Sequence, residues 1–178
     1  PPGYGQVVWS ALIVNGAMVV VEVIAGLRAD SVSLLADSMD FLGDAANYGI
    51  SLSVLGLGLV WRARASMIKA LTMAAFGVWI LGVTSFNAIT GSVPHPPTMG
   101  AIGLLAMLAN LAVLAVLIRY RHGDSNMRSV WLCTRNDVIG NGAVLLAALG
   151  VFGSGSAWPD LLVGAIFAGL ALSAAVQI

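Results

Sequence analysis

Long apolar runs follow one another along nearly the whole chain, and they restrict its fold more than any other feature. Six runs lie at about 6–27, 33–61, 65–90, 98–120, 126–152 and 159–178 of the 178 residues. Each is long enough to cross the hydrocarbon core of a bilayer, which takes about 20 residues as a helix. The connections are short, so we expect neighbouring helices to run antiparallel. The sequence therefore predicts an all-α integral membrane protein with six transmembrane helices.

The composition agrees with this class of protein. Hydrophobic residues make up 59% of the chain and charged residues only 9%, far below the roughly 25% of a soluble domain. We expect a single transmembrane domain over 1–178, with no residues left for a soluble carboxy-terminal domain. The formal net charge is zero and the basic residues are scattered, so nucleic acid is not an expected partner.

Basic residues indicate the orientation, because cytoplasmic loops and the adjoining helix ends collect Lys and Arg. Such residues surround the second connection (Arg62, Arg64 and Lys69) and the fourth (Arg119, Arg121 and Arg128). With six spans, both termini are predicted to lie in the cytoplasm.

Three acids interrupt the second apolar run, in LLADSMDFLGDAANYG: Asp37, Asp40 and Asp44. One Asp at the bilayer centre costs at least about 2.5–3.5 kcal/mol, so we expect these acids to face protein, water or an ion. Asp40 and Asp44 share one helical face, with Asp37 one turn nearer the outer end. Such neighbours repel one another unless protons or a cation neutralise them. Asp37 alone is explained equally well as an acid near the N-terminus of its helix.

The fifth run holds a second pair at the same spacing, Asp137 and Asn141 in TRNDVIGNGAV. Two helices that each present two oxygen ligands could form a four-coordinate site for a small divalent cation. Asp137 could instead form a buried ion pair with Arg135, and Asn141 could be an interhelical hydrogen-bonding group. Cys133, one turn before Asp137, is either a soft ligand on the same face or a small apolar filler.

The first run contains two further polar residues, Asn15 and Glu22, which are seven residues apart and so share a helical face. They could line the same cavity as the other acids, or a neutral Glu22 could hydrogen-bond another helix. No arrangement of nucleophile, base and oxyanion donors accompanies these residues, so no enzymatic activity is expected.

These residues resemble those of the cation diffusion facilitators, a family that exports zinc and other divalent metals in exchange for protons. SVSLLADSMDFLGD is similar to the family's first half-site, and DVIGN lies where members carry the second. The resemblance implies metal ligands at Asp40, Asp44, Asp137 and Asn141 and a supporting role for Asp37, and members often carry similar residues at the positions of Asn15 and Glu22. Cys133 is a further candidate supporting residue because of its position one turn before Asp137. Asn141 replaces the usual acid, and Asp137 stands where zinc-transporting members commonly have His.

The resemblance also implies an efflux transporter that works by alternating access through a site between the second and fifth helices. Zn is the first candidate for the metal, followed by Co, Cd, Fe and Mn, and protons are the counter-ion; no prosthetic group is expected. A homodimer in a bacterial inner membrane is implied as well. Two other functions fit the acids: a proton-coupled transporter of an organic cation, and a non-transporting membrane subunit whose acids pair with a partner's basic residues.

Overall fold

The computed structural model describes residues 3–53, 59–122 and 125–177. Within these ranges the chain forms six α-helices, and one 3-10 turn, Ile118–Tyr120, continues the fourth. The α-helices are Tyr4–Ala29 (α1), Val32–Ser53 (α2), Leu59–Thr90 (α3), Pro96–Leu117 (α4), Ser125–Ser154 (α5) and Trp158–Gln177 (α6). The all-α prediction is confirmed.

The second and third helices depart most from the predicted bounds. α2 ends at Ser53 and α3 already begins at Leu59, whereas the sequence predicted one helix over 33–61 and the next from residue 65. Residues 54–58, which the prediction placed inside the second helix, lie outside the described residues, as does residue 178 of the predicted sixth helix. Hydropathy alone could not reveal that residues 59–64 belong to α3, because the apolar run continues from α2 through VLGLG to residue 61.

The outer surface of the bundle is apolar. Five helices of the described chain are long and apolar enough to cross a membrane: Tyr4–Ala29, Met67–Thr90, Pro96–Tyr120, Val130–Ser154 and Trp158–Val176. Large apolar side chains on the outward faces are exposed, among them Ile13, Ile89, Phe152 and Leu170. An exposed apolar belt of this kind is suited to lipid, where each helix satisfies its own backbone. The chain is therefore a multi-pass membrane protein.

α2, the helix with three acids, lies at the centre of the bundle and contacts every other described α-helix. Val32, Leu35 and Met39 pack it against Ile80 of α3 and Ala168 of α6. Its opposite side packs with α1, α4 and α5, where apolar clusters form at three levels along the bundle. The acids of α2 are consequently held away from the lipid-facing surface.

Asp160, in the first turn of α6, holds the beginning of α2. Its buried carboxylate accepts hydrogen bonds from the backbone N–H groups of Val32 at 2.7 Å and Ser33 at 3.0 Å. The hydroxyls of Ser31 at 2.7 Å and Ser33 at 2.6 Å also donate to it. Negative charge is favourable at a helix N-terminus, where N–H groups lack helical partners. We call this end of the bundle the outer end, and the opposite end, predicted to face the cytoplasm, the inner end.

Candidate metal site

The acids of α2 face acids on two neighbouring helices. Asp37 faces Glu22 of α1, near enough for the two carboxyl groups to interact electrostatically. Asp44 faces Asp137 of α5 in the same way. Asp40 lies between these two levels, against α5, because a Cβ added to Gly140 would be 3.9 Å from its Oδ2. The structure thus places Asp40, Asp44 and Asp137 along the boundary between α2 and α5.

A hydroxyl bridge supports the Asp44–Asp137 pair on its inner side. The Tyr48 hydroxyl donates to Asp44 Oδ2 at 3.3 Å and lies 2.9 Å from the hydroxyl of Thr134. Tyr48 and Thr134 are both buried, and each lies about one turn from the acid of its own helix. The bridge therefore links α2 and α5 beside the acids. The sequence carries no signal for this role of Thr134, since a single threonine is common in an apolar helix.

A cavity of about 200 Å³ lies on the inner side of Asp44. Its polar lining includes Asp44, Asn47, Tyr48 and Cys133. Cys133 is four residues before Asp137, so the two share a face of α5. Cys133 is also close enough to Asp44 for their charges to interact. A cation that entered from the inner end would meet Asp44 and Cys133 in this cavity.

Asn141, the other neighbour of Asp137 at helical spacing, has a different environment. It is fully buried, and neither its amide nitrogen nor its amide oxygen has a hydrogen-bond partner in the described part of the chain. The interhelical hydrogen bond considered as an alternative role is therefore not formed in this structure. Cys133, which lies one turn from Asp137 on the other side, lines the inner cavity together with Asp44, whereas Asn141 is not among the residues that line it.

Arg135 was the alternative partner for Asp137, but its guanidinium makes other contacts. It lies over the ring of Trp131, 5.5 Å from the ring centroid, and donates to Asn136 Oδ1 at 3.4 Å. Arg135 is exposed, as expected for a cation stacked on an indole near the edge of a membrane. The acid that Asp137 faces is Asp44, and Asp137 also interacts electrostatically with Asp40 and Asp37.

The Glu22–Asp37 pair is the more deeply buried of the two acid pairs, with exposed fractions of 0% and 1%. Both carboxyl oxygens of Glu22, and Oδ2 of Asp37, have no hydrogen-bond partner among the described residues. Asn15 does not supply a donor to these oxygens, and its amide donates to the carbonyl of Ala11 in its own helix at 2.8 Å. Carboxyl groups in this setting need a shared proton or a cation.

The acids form two pairs and do not converge on one point. In the part of the chain that the structure describes, no three His, Cys, Asp or Glu side chains are arranged to hold a metal ion. The predicted set of Asp40, Asp44, Asp137 and Asn141 is therefore not assembled into one coordination sphere in this conformation. Coordination by more than two of these side chains would require a change in side-chain conformation or in the position of the helices.

Buried acids inside an apolar helical bundle are typical of a membrane protein that moves cations. The sequence comparison agrees: the family model of the cation efflux transmembrane domain matches residues 60–178, more than half of the chain. The chain belongs to the cation efflux family and is a cation efflux transporter; members of this family are transporters and not enzymes. No curated protein matches it. The matched residues include Asp137 and Cys133, while the acids of α1 and α2 precede them.

Proposed function

We propose that this chain exports a divalent metal in exchange for protons through the acids between α2 and α5. The observation that carries the proposal is the approach of Asp44 and Asp137 across the two helices. Two ionised carboxylates this close in an apolar interior repel each other unless a cation or a proton lies between them. Metal and protons therefore compete for the same oxygens, which is the chemical basis of exchange.

In this proposal Asp44 and Asp137 bind the metal first, and Asp40 becomes a third ligand as α2 and α5 shift. Cys133 is a better fourth ligand than Asn141, because it faces Asp44 across the inner cavity. A thiolate beside carboxylates favours Zn, Cd or Co over the harder Mn. Zn is accordingly the cargo we propose first. The homodimer and the bacterial inner membrane remain proposals that rest on the family resemblance.

The test is uptake of Zn, Cd, Co, Fe and Mn into proteoliposomes under an imposed proton gradient. We expect the unmodified chain to transport at least Zn, and Asp44→Asn and Asp137→Asn to reduce the flux to background. Asp30→Asn is the matched control, because Asp30 is an exposed acid at the end of α1 and Asn also tolerates its left-handed backbone (φ 52°). Flux that persists in both site variants would place the pathway elsewhere. The absence of metal flux in the unmodified chain would favour an organic-cation transporter or a membrane subunit.

The fourth ligand is tested by comparing Cys133→Ser with Asn141→Ala in the same vesicles. If Cys133 binds the metal, its replacement lowers Cd and Zn flux more than Mn flux, because only the softer ions lose a preferred ligand. Asn141→Ala leaves the ratio of Cd to Mn flux unchanged. The reverse pattern would restore Asn141 as the ligand.

A further inference from the structure

Lys69 is the only lysine of the chain, and it lies on α3 inside a membrane-spanning segment, Met67–Thr90. A cationic side chain in such a segment needs a polar partner. Lys69 is half-buried, and its ammonium donates a hydrogen bond to Oδ1 of Asn47 on α2. A positive charge is thereby held at the boundary between α3 and the helix that carries three acids.

The group that anchors this ammonium belongs to the inner cavity. Asn47 lies about one turn inward from Asp44 and lines the cavity together with Asp44 and Cys133. Lys69 is also near enough to Asp44 and Cys133 for their charges to interact. A metal ion that reaches Asp44 through the cavity would therefore approach a group of its own charge sign.

The other side of Lys69 is apolar. The residue lies in a groove between α2 and α3 whose walls are mostly apolar. The hydroxyls of Ser53 and Thr72, which also line the groove, donate to carbonyls of their own helices. Arg64, on the same helix, contrasts with it: it is exposed, and its guanidinium lies 5.2 Å from the centroid of the Trp61 ring. Lys69 is thus directed at α2, whereas Arg64 remains at the surface.

We propose that Lys69 is a tethered counter-cation of the transport site, which offsets part of the acid charge and weakens the binding of the divalent metal. The inference rests on the proposed metal site at Asp44 and Asp137. Coulomb repulsion gives its direction, since a unit positive charge repels a dication twice as strongly as a monovalent cation at the same distance. Lys69 therefore sets the metal affinity of the site without being a ligand.

The test is zinc binding by the purified full chain in detergent at one fixed pH, measured by competition with a fluorescent zinc chelator. Lys69→Met keeps the length and apolar contacts of the side chain and removes only the charge. We expect Lys69→Met to bind zinc roughly ten-fold more tightly than the unmodified chain, a modest share of the Coulomb repulsion between such charges. Lys69→Arg keeps the charge and is expected to retain the affinity of the unmodified chain. Arg64→Met is the matched control, because it removes one positive charge from an exposed position of the same helix.

A second variant tests the hydrogen bond between Lys69 and Asn47. It also provides an independent test if Lys69→Met does not fold. Asn47→Ala leaves the lysine charge in place but removes the acceptor that holds it beside the cavity. Zinc binding should tighten by less than in Lys69→Met. The double variant should bind no more tightly than Lys69→Met alone, because both changes act through the same charge.

The outcomes separate this inference from the function it rests on. Unchanged or weaker zinc binding by Lys69→Met, with binding by the unmodified chain intact, overturns the role of Lys69 and leaves the metal site standing. Equal tightening in Lys69→Met and Arg64→Met would reveal only an effect of net charge and would overturn it too. If Lys69→Met is not monodisperse, unchanged affinity in Asn47→Ala decides against the tether. A chain that binds no zinc at all refutes both proposals.

Discussion

The acids inside the bundle fall into two groups with opposite surroundings, Asp160 at the outer end and the two acid pairs further in. At the outer end, Asp160 accepts four hydrogen bonds, one from Ser31 and three from the first turn of α2. Further in, Glu22 faces Asp37 and Asp44 faces Asp137, so the acids of each pair have another acid as neighbour. Burial by itself therefore does not mark an acid for transport. A carboxylate surrounded by donors stabilises the fold, whereas paired carboxyl groups need a proton or a cation from outside.

The outer end and the inner half of α2 also differ in what surrounds them. Its outer end is held by Asp160 and the apolar cluster around Val32. Its inner half adjoins two cavities, one of about 200 Å³ beside α5 and one of about 440 Å³ beside α3. The space beside the inner half of α2 allows Asp44 to shift while the outer end of the helix stays in place.

A variant of Asp160 gives the clearest test of this comparison. Asp160→Ala leaves the N–H groups of Val32 and Ser33 without their acceptor, and we expect the free energy of unfolding to fall by about 3 kcal/mol. SDS titration of the protein in micelles measures this change. Asp160→Asn retains one acceptor oxygen and should lose less. A loss below about 1 kcal/mol in Asp160→Ala would mean that water replaces the carboxylate, and that the outer end is not held by it.

Gly164 tests the packing of the same end. A Cβ at Gly164 would lie 2.6 Å from Val32 Cγ1 and 3.0 Å from the Val32 carbonyl carbon. Gly164→Ala should therefore lower the free energy of unfolding by about 2 kcal/mol through overpacking. Gly169→Ala is the matched control on α6, because no atom lies within 4 Å of its added Cβ. Equal stability of the two variants would show that α6 moves away from α2 at little cost.

Replacement of one acid in a pair should not destabilise the protein. Asp37→Asn introduces an N–H donor beside the unpartnered oxygens of Glu22, so the free energy of unfolding should stay unchanged or rise by up to about 1 kcal/mol. Metal flux in proteoliposomes should fall, because the pair loses an acid. A loss of stability as large as in Asp160→Asn would remove the distinction between the two groups.

Tyr48→Phe should have the smallest effect. It removes the hydroxyl that reaches Asp44, while Thr134 keeps its hydrogen bond to the carbonyl of Val130 at 3.1 Å. Because Thr134 stays satisfied, we expect the free energy of unfolding to fall by only about 0.5 kcal/mol. SDS titration should detect this change, and flux should remain measurable. Complete loss of flux would instead make Tyr48 part of the transport site.

Much of the site could be predicted from the sequence, and the remainder depended on which helices meet. The cost of an acid in a lipid-spanning run pointed to Asp37, Asp40, Asp44 and Asp137, and helical spacing put Cys133 on the face of Asp137. Spacing within α5 could not decide between Cys133 and Asn141, because both lie one turn from Asp137. The structure adds that Cys133 and Asp44 line the same cavity, which is the reason we propose Cys133.

Lys69 and Asp160 are two further residues whose contacts with another helix could not be predicted from the sequence. The basic residues near the second connection predicted an orientation, but not that Lys69 reaches back to Asn47 on α2. Asp160 lies in the first turn of the sixth helix, yet the groups that donate to it lie at the start of α2.

The sequence by itself determined that this chain is a bundle of membrane-spanning helices with acids inside it, because the length of an apolar run and the cost of a buried charge are local properties. Only the tertiary structure decided which acids are satisfied and which face one another. Partners across helices depend on the depth and rotation of each helix relative to its neighbours, and the spacing of residues within one helix does not specify either.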